Sequence, residues 1–353
     1  MYRSILRPLL FRWKPEAAHG LTVTLLKMTL ALPFVNYVFR RLFVIEDPAL
    51  EREVFGLRFK NPVGLAAGFD KDARLVDAMA SLGFGFVEIG TVTPLAQAGN
   101  PQPRLFRLSA DESLINRMGF NNRGVERAAA NLARRRPARR RSNVLVGGNI
   151  GKNKVTPNER AHYDYETGFR VLYPHVDFFT VNVSSPNTPN LRELQEKEPL
   201  TRLLRGLQKL NQEYPRPRPI LLKIAPDLTD SQLDDIVDIC LSLRIDGVIA
   251  TNTTIQREGL RTPSDQVAAM GAGGVSGQAM RQRSTQVIRY LHQKSGGALP
   301  IIGVGGVASP DDAREKLEAG ASLVQLYTGL VYEGPGVVKR INQSLLQAER
   351  ELA

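Results

Sequence analysis

The stretch Thr-Val-Asn-Val-Ser-Ser-Pro-Asn-Thr-Pro, residues 180–189, begins like a buried strand and ends as a polar loop. Val181 and Val183 are β-branched, whereas Pro186 and Pro189 prevent a further strand or an immediate helix start. The apolar run therefore ends where hydroxyl and amide side chains collect. The same succession, an apolar strand followed by a polar turn, recurs along the chain and predicts its fold.

Eight short apolar runs follow one another from about residue 60, with helical patterns after them. Each run is continuous rather than alternating, which is typical of parallel strands buried on both faces. Eight strand–helix units in series predict an α/β protein with a TIM-type (β/α)8 barrel, and a doubly wound open sheet is the main alternative. The runs are 63–67, 86–90, 144–150, 178–183, 220–224, 247–251, 301–304 and 323–327.

Two connections, 91–123 and 252–278, are long and show no helical pattern. Connections of that length usually form lids or binding loops. Both leave the carboxyl end of a predicted strand, which is the face where barrels of this type hold their active sites.

Residues 1–45 form a separate segment before the barrel domain, which we place at 46–353. Pro15 is expected to open a helix and Pro33 to close it. A basic amphipathic helical pair suits the surface of an anionic membrane, and a helical cap docked on the barrel is the alternative. The helix that begins at Pro15 is the second of the pair, and its apolar stripe comprises Ala18, Leu21, Leu25, Met28 and Leu32.

The composition is that of a globular protein with a basic balance: 353 residues, 42% hydrophobic, net charge +12. The single cysteine, Cys240, lies in an apolar helical pattern and is interpreted as a core residue. Six arginines crowd into 134–141, where a solvated helix end is the plain interpretation and an anionic partner the alternative. No aromatic residues interleave with these arginines, so we do not expect nucleic acid binding.

Polar clusters fall where the predicted strands end, and this convergence indicates a shared small-molecule site. The glycines in Gly303–Gly306 and Gly329 end the last two units, where barrels of this type usually bind phosphate. No G-x-G-x-x-G opens a βαβ unit and no H-E-x-x-H occurs, so neither a Rossmann site nor a catalytic metal is expected. A phosphate-tailed cofactor fits better, and Lys223 could place positive charge beside one that becomes anionic on reduction.

Seven segments at or near the strand ends form a specific combination: 67–72 (AGFDKD), 88–94 (EIGTVTP), 116–122 (NRMGFNN), 149–153 (NIGKN), 184–188 (SSPNT), 223–227 (KIAPD) and 303–306 (GVGG). This combination closely resembles the quinone-dependent (class 2) dihydroorotate dehydrogenases, from the N-terminal helices to about residue 340. The resemblance implies an FMN-containing barrel that oxidises dihydroorotate to orotate in pyrimidine synthesis and passes the electrons to a membrane quinone.

The resemblance also implies a role for individual residues. Ser185 is the expected base, because this class has serine where soluble relatives have cysteine. His19, Arg104 and Tyr327 are expected near the quinone passage. The substrate residues implied are Lys71, Asn116, Arg117, Met118, Gly119, Phe120, Asn182, Asn187, Asn252 and Thr253. The FMN residues implied are Ala67, Gly68, Lys71, Thr91, Asn149, Asn182, Lys223, Thr251, Gly277, Gly306, Tyr327 and Thr328.

Three other functions stay open at this point. They are a soluble-type dihydroorotate dehydrogenase with another acceptor, an FMN-dependent tRNA dihydrouridine synthase, and a non-catalytic protein of the membrane surface. Ser185 and the N-terminal helices disfavour the first, and the helical position of Cys240 disfavours the second. We expect a peripheral protein on the cytoplasmic face of the inner cell membrane.

Overall fold

Eight parallel strands close into a barrel in the computed structural model, which describes residues 2–135 and 144–352. The predicted TIM-type barrel with an N-terminal helical extension is therefore confirmed. The barrel strands are β3 (Val63–Leu65), β4 (Phe86–Val92), β7 (Leu145–Ile150), β8 (Phe178–Asn182), β9 (Ile220–Ile224), β10 (Gly247–Ala250), β12 (Ile301–Val304) and β13 (Leu323–Leu326). Neighbours in the barrel follow chain order, with β9 paired to β10 and β13 closing on β3.

Aromatic side chains fill the amino end of the barrel. The hairpin of β1 (Arg52–Val54) and β2 (Leu57–Phe59) places Phe59 there, in edge-to-face contact with Phe86 at 5.2 Å between ring centroids. Gly64 makes the space, because a Cβ on it would lie 2.2 Å from the Phe86 ring. Because aromatic rings fill the amino end, we expect a ligand at the carboxyl end of the barrel.

Helices surround the barrel and share a second apolar core with the outer faces of the strands. The predicted helix after the first strand begins late, because Asp70 accepts hydrogen bonds from the backbone N–H groups of Arg74 and Leu75 and holds them in a loop. The surrounding helices are α4 (Val76–Ser81), α5 (Val125–Ala133), α6 (Ala161–Leu172), α7 (Lys197–Gln212), α8 (Asp230–Ser242), α10 (Arg281–Lys294), α11 (Pro310–Glu318), α12 (Thr328–Glu333) and α13 (Val337–Leu352).

The two long connections contain regular structure that the sequence did not reveal. Strands β5 (Leu105–Leu108), β6 (Ser113–Asn116) and β11 (Gly274–Gly277) form an antiparallel sheet in the order β11-β6-β5. A short helix, α9 (Ser264–Met270), precedes β11. This small sheet therefore joins both connections on the open side of the barrel.

The N-terminal segment contains more helix than the predicted pair. A π-helical turn (Tyr2–Leu6) leads into α1 (Arg7–Phe11) and α2 (Pro15–Thr29). The expectation that Pro33 only closes a helix is wrong, since Pro33 also begins α3 (Pro33–Phe43). Proline is accommodated in the first helical turn, where its missing N–H has no intrahelical partner to lose.

The apolar stripe predicted for α2 packs against the rest of the protein at one end and is exposed at the other. Ala18 is buried, as is Val23 outside the stripe, whereas Leu25 and Met28 are 50% and 66% exposed. No single helix among the described residues has the length and apolar character to cross a membrane. The α2–α3 pair, which is bent by 110°, reaches that length and composition only when both helices are counted together. Of the arginine run, Arg135 pairs with Asp77, and residues 136–141 lie outside the described range.

Candidate functional site

A cavity opens at the carboxyl ends of the barrel strands, and we call it the mouth cavity. Its volume is about 970 Å³ including the open entrance. Five of the eight barrel strands contribute side chains to its wall, and the residues directly after β3 and β10 and the small sheet also contribute to it. Barrels of this type hold their ligands at this end. Wall residues include Gly68, Lys71, Thr91, Asn116, Asn182, Ser185, Asn187, Lys223, Asn252, Gly277, Gly305, Gly306, Gln325 and Tyr327.

The structure brings together nearly all of the residues predicted for base, substrate and cofactor. Each lines the mouth cavity except Arg117 and Asn149. The Arg117 guanidinium lies over the Phe106 ring and donates to the backbone oxygens of Met270 and Pro103, so its side chain is outside the cavity. Asn149 is fully buried directly behind the wall.

Asn182, in the wall of the mouth cavity, is the centre of a hydrogen-bonded network. Its side-chain nitrogen donates to Thr91 Oγ1 at 2.8 Å and to Asn149 Oδ1 at 3.3 Å. Its side-chain oxygen accepts from the Ser184 backbone N–H, the Ser184 hydroxyl and Asn252. The amide hydrogens of Asn182 thus have protein partners, and the residue fixes the positions of its neighbours.

Ser185 and two amides present unsatisfied groups beside this network. The Ser185 hydroxyl oxygen accepts the Asn187 backbone N–H at 3.2 Å, which leaves the hydroxyl hydrogen available. Asn187 donates its side-chain amide to Asn116 Oδ1 at 3.0 Å. Within the described part of the chain, Asn116 Nδ2 and Asn187 Oδ1 have no hydrogen-bond partner, so the two amides offer a donor and an acceptor side by side. A cyclic urea edge needs that combination.

Two lysines supply the positive charge of the mouth cavity. Burial, followed by the repulsion of Arg104, lowers the pKa of Lys71 to about 8. Lys223, at the end of β9, is buried, and its Nζ lies 3.7 Å from the carboxylate of Glu88. An anionic ligand would offset the cost of burying these charges.

A glycine-rich turn forms the end of the mouth cavity beyond β12. Gly305 and Gly306 have φ values of 129° and 75°, which favour glycine. The carbonyls of Val304 and Gly306 accept hydrogen bonds from Ser284 and Gln278, respectively. Among the described residues, the N–H groups of Gly305 and Gly306 have no such partner. Free N–H groups on a close-approaching backbone are suited to a phosphate.

A second cavity, which we call the apolar channel, lies between the N-terminal helices and the barrel. It measures about 1640 Å³ including its open entrance. Tyr327 lines both cavities, so they adjoin at this side chain. Most of the other lining residues are apolar, among them Leu6, Leu9, Leu10, Phe11, Trp13, Leu21, Leu25, Leu26, Phe39, Phe69, Met79, Leu330 and Val331.

The inner end of the apolar channel contains His19, Phe69 and Tyr327 in edge-to-face contact. The ring centroids of His19 and Phe69 are 4.8 Å apart, and those of Phe69 and Tyr327 are 5.6 Å apart. Burial, with Lys71 as the next cause, lowers the pKa of His19 to about 4. Its imidazole is therefore neutral at pH 7.

Arg104, predicted near the quinone passage, forms a link that the sequence did not suggest. Its guanidinium pairs with Glu16 of α2 at 2.6 Å and donates to the backbone oxygens of Ala98 and Asn100. Asn100 in turn donates to the Asn187 backbone oxygen at 3.1 Å. Arg104 therefore connects the N-terminal helices with the wall of the mouth cavity.

Comparison with known proteins gives one consistent family. A family model described as dihydroorotate dehydrogenase matches residues 49–348. A protein of Christiangramia forsetii named dihydroorotate dehydrogenase (quinone) is 57% identical over 98% of this chain and 99% of its own length. A protein of the same name from Thermosynechococcus vestitus is 48% identical over 98% of this chain and 96% of its own.

Solved structures agree with the sequence relatives. A ligand-free DHODH from Eimeria tenella superposes with a TM-score of 0.86 at 37% identity, covering 96% of each chain. The structure of DHODH from the same organism in complex with ferulenol gives a TM-score of 0.85 at 36% identity, covering 96% of this chain and 92% of that one.

Proposed function

The chain belongs to the dihydroorotate dehydrogenase family, and from that membership we propose how its residues oxidise dihydroorotate to orotate with a quinone as the electron acceptor. The enzyme is an oxidoreductase of pyrimidine biosynthesis, and the family is flavin-dependent. The finer assignments that follow, namely the cofactor, the role of each residue and the membrane surface, are our proposals.

FMN is the cofactor that the mouth cavity fits. The free N–H groups of Gly305 and Gly306 suit its phosphate, and Ser276 and Thr328, hydroxyl to hydroxyl at 2.8 Å, stand at the same end. Lys223 and Thr91 would face the ring system. When bound, the flavin accepts the hydride that leaves the substrate and later yields the electrons to the quinone.

Ser185 removes the proton in this proposal. Oxidation of dihydroorotate takes a proton from one ring carbon and a hydride from its neighbour, which leaves a carbon–carbon double bond in orotate. The Ser185 hydroxyl is held by the Asn187 backbone N–H within the wall. A serine hydroxyl is a weak base at neutral pH, so Ser185 must pass the proton onward.

Asn116, Asn187 and Lys71 orient the substrate. The paired amides of Asn116 and Asn187 present a donor and an acceptor to the ring N–H and C=O groups, and Lys71 neutralises the carboxylate. Asn252 and Thr253 complete the wall, held by the bond from Asn252 to the Ser184 hydroxyl at 3.0 Å. These contacts fix which ring hydrogen faces Ser185.

Residues 1–45 form the membrane and quinone-access segment in this proposal, and 46–353 the catalytic barrel. The apolar channel leads from exposed apolar side chains to Tyr327, beside His19. Basic residues flank those side chains, for example Arg40 and Arg41 of α3. We therefore place the protein peripherally on an anionic membrane, on the cytoplasmic face of the cell membrane.

The rival dihydrouridine synthase activity needs a catalytic cysteine in a barrel loop. Cys240 is fully enclosed in α8, and burial raises the pKa of its thiol to about 12. A thiol in that position can neither reach the mouth cavity nor ionise at neutral pH.

The observation that carries the proposal is the meeting of Ser185, the paired amides and two lysines in one cavity. Anaerobic mixing of the purified holoprotein with dihydroorotate tests it. We expect bleaching of the flavin in the wild type and a loss of roughly 100- to 10,000-fold in its rate in Ser185→Ala. Ser295→Ala is the matched control, because the buried Ser295 hydroxyl donates to the His292 backbone oxygen at the end of α10 and does not line the mouth cavity. Equal rates in the wild type and Ser185→Ala would exclude Ser185 as the base.

A further inference from the structure

Glu88 of β4 is a fully buried carboxylate to which the mechanism above gives no role. Its Oε1 accepts from Asn149 Nδ2 at 2.6 Å, and its Oε2 accepts from Gln325 Nε2 at 2.7 Å. Every polar neighbour is thus a donor toward it. A side chain that only accepts, in an apolar barrel, is suited to carry a negative charge.

Lys223 lies close enough to Glu88 for an electrostatic interaction but beyond hydrogen-bond distance. Its Nζ is 3.7 Å from Glu88 Oε2, beyond hydrogen-bond distance. Lys223 lines the mouth cavity, and Glu88 lies directly behind it. The ammonium is therefore free to face a ligand while a fixed negative charge stands behind it.

We propose that Glu88 sets the reduction potential of the bound cofactor by offsetting the positive charge of Lys223. This inference rests on the proposed flavin site. A reduced flavin carries more negative charge than an oxidised one, so a nearby carboxylate disfavours reduction and a nearby ammonium favours it. Without Glu88, the positive charge of Lys223 would stabilise the reduced flavin more strongly. Electron transfer from the flavin to the quinone would then be slower.

The sign of this effect does not depend on how the flavin lies in the cavity. Any negative charge close to it lowers the potential, and only the size varies with distance. The low polarity around β4 and β9 also leaves this pair poorly screened, since all residues of both strands are buried. The carboxylate therefore acts more strongly than a surface charge would.

Glu88→Gln changes the charge and leaves the packing intact. Gln325 Oε1 is buried without a hydrogen-bond partner, so the Gln325 amide can turn and accept from the new Gln amide. The side-chain oxygen of the new Gln still accepts from Asn149 Nδ2. The substitution therefore keeps the hydrogen-bonded network that reaches Asn182.

The test is the midpoint potential of the holoprotein, measured spectroscopically between pH 6 and pH 8. We expect Glu88→Gln to shift the equilibrium at least tenfold toward the reduced flavin, which is about 30 mV for a two-electron couple. Glu88→Asp, which keeps the charge, should stay near the wild type. Asp246→Asn is the control, because it removes a carboxylate that caps Ile220 at the amino end of the barrel.

A second pair of variants tests the same inference through the charge of Lys223. Lys223→Gln should lower the potential, and Glu88→Gln combined with Lys223→Gln should return it toward the wild type. Equal potentials in Lys223→Gln and the double variant, or in the wild type and Glu88→Gln, would overturn the inference. A wild-type protein that binds no flavin would instead overturn the proposed function.

Discussion

The mouth cavity and the apolar channel adjoin at Tyr327 but are built in opposite ways. In the mouth cavity, polar side chains such as Asn182 are held by partners from other barrel strands, here Thr91 of β4 and Asn149 of β7. In the apolar channel, much of the wall belongs to N-terminal helices whose apolar side chains are partly exposed, with Leu9 of α1 and Leu25 of α2 each 50% exposed. The comparison teaches that the chain completes the first site by itself, whereas the second needs apolar surroundings.

Side-chain contacts, rather than shared strands, join the N-terminal segment to the barrel. They include the ion pair of Glu16 with Arg104, the bond from Arg107 to the Trp13 backbone oxygen and the bond from Tyr2 to the Val331 backbone oxygen. None of the described wall residues of the mouth cavity comes from this segment. Reduction of the flavin by dihydroorotate and its reoxidation by the quinone should accordingly be separable by experiment.

Deletion of residues 1–45 should have the largest effect and tests whether the apolar channel and the mouth cavity act separately. We expect it to abolish turnover with a long-chain quinone and binding to anionic vesicles, because the channel wall and the exposed apolar side chains are lost. Bleaching of the flavin by dihydroorotate should survive. Full turnover with the long-chain quinone would contradict the role of the segment.

A smaller change to the N-terminal segment alters only two exposed apolar side chains. Met28→Glu with Phe34→Glu should release the protein from vesicles, because both side chains are more than half exposed. Val155→Glu is the matched control, since Val155 is 85% exposed in a loop outside the N-terminal segment. Equal loss of vesicle binding in the control would show that added charge, rather than its location, is responsible.

Substitution of Arg192 tests the opposite case, in which flavin reduction in the mouth cavity is impaired and quinone reduction is not. Its guanidinium donates to the Ser184 backbone oxygen, to Asp227 and to the Thr253 backbone oxygen, at 3.1, 2.8 and 3.0 Å. Arg192→Met should slow flavin reduction by about 10- to 100-fold, because Ser185 loses its fixed position. Stopped-flow mixing measures this rate.

The reoxidation rate with quinone is the internal control for Arg192→Met and should not change. Arg283→Met is the matched variant, because its guanidinium donates to the backbone oxygens of Pro226 and Leu228 and not to the serine loop. A similar loss in both variants would mean that general loosening, and not the position of Ser185, is responsible.

The sequence predicted the barrel because its signal is local. Each strand is a continuous apolar run, and the polar residues of one face follow directly from the strand ends. The mouth cavity could be predicted to the same extent, since residues such as Lys223 and Asn182 lie at adjacent register positions of β9 and β8.

The remaining features depend on partners distant in the chain. Strand β6 pairs with β11, so Ile115 stands opposite Val275, and no short window of sequence contains both. The Arg117 side chain is turned outward by carbonyls of Met270 and Pro103 for the same reason. Glu88 belongs to the sequence segment 88–94, but the sequence did not show that its carboxylate is fully buried in the barrel.

Lys71 makes the mouth cavity sensitive to pH. Its pKa is lowered to about 8, so its positive charge is present below pH 8 and is lost as the pH rises above that value. We expect kcat/KM for dihydroorotate to fall about tenfold per pH unit above pH 8, because the substrate carboxylate loses its partner. Lys71→Arg should extend the plateau to higher pH. An unchanged decline in Lys71→Arg would assign the effect to another group.

His19 gives the smallest effect and concerns the apolar channel. Its pKa is lowered to about 4, so the folded protein resists the proton that the unfolded chain accepts below about pH 6.5. Stability is therefore unaffected above pH 6.5 and falls as the pH drops toward 4, by about 2 kcal/mol between pH 7 and pH 5. Thermal unfolding of the wild type and His19→Asn at both pH values measures this difference.

His19→Asn should lose less stability on acidification than the wild type, because it has no imidazole to protonate. That outcome would mean that the inner end of the apolar channel is uncharged at pH 7, while Lys71 and Lys223 keep the adjacent mouth cavity positive. A neutral passage admits a hydrophobic quinone without the cost of desolvating a charge, whereas the positive cavity retains the anionic substrate. Equal losses in the two proteins would show that His19 is hydrated and that the channel is not apolar to its end.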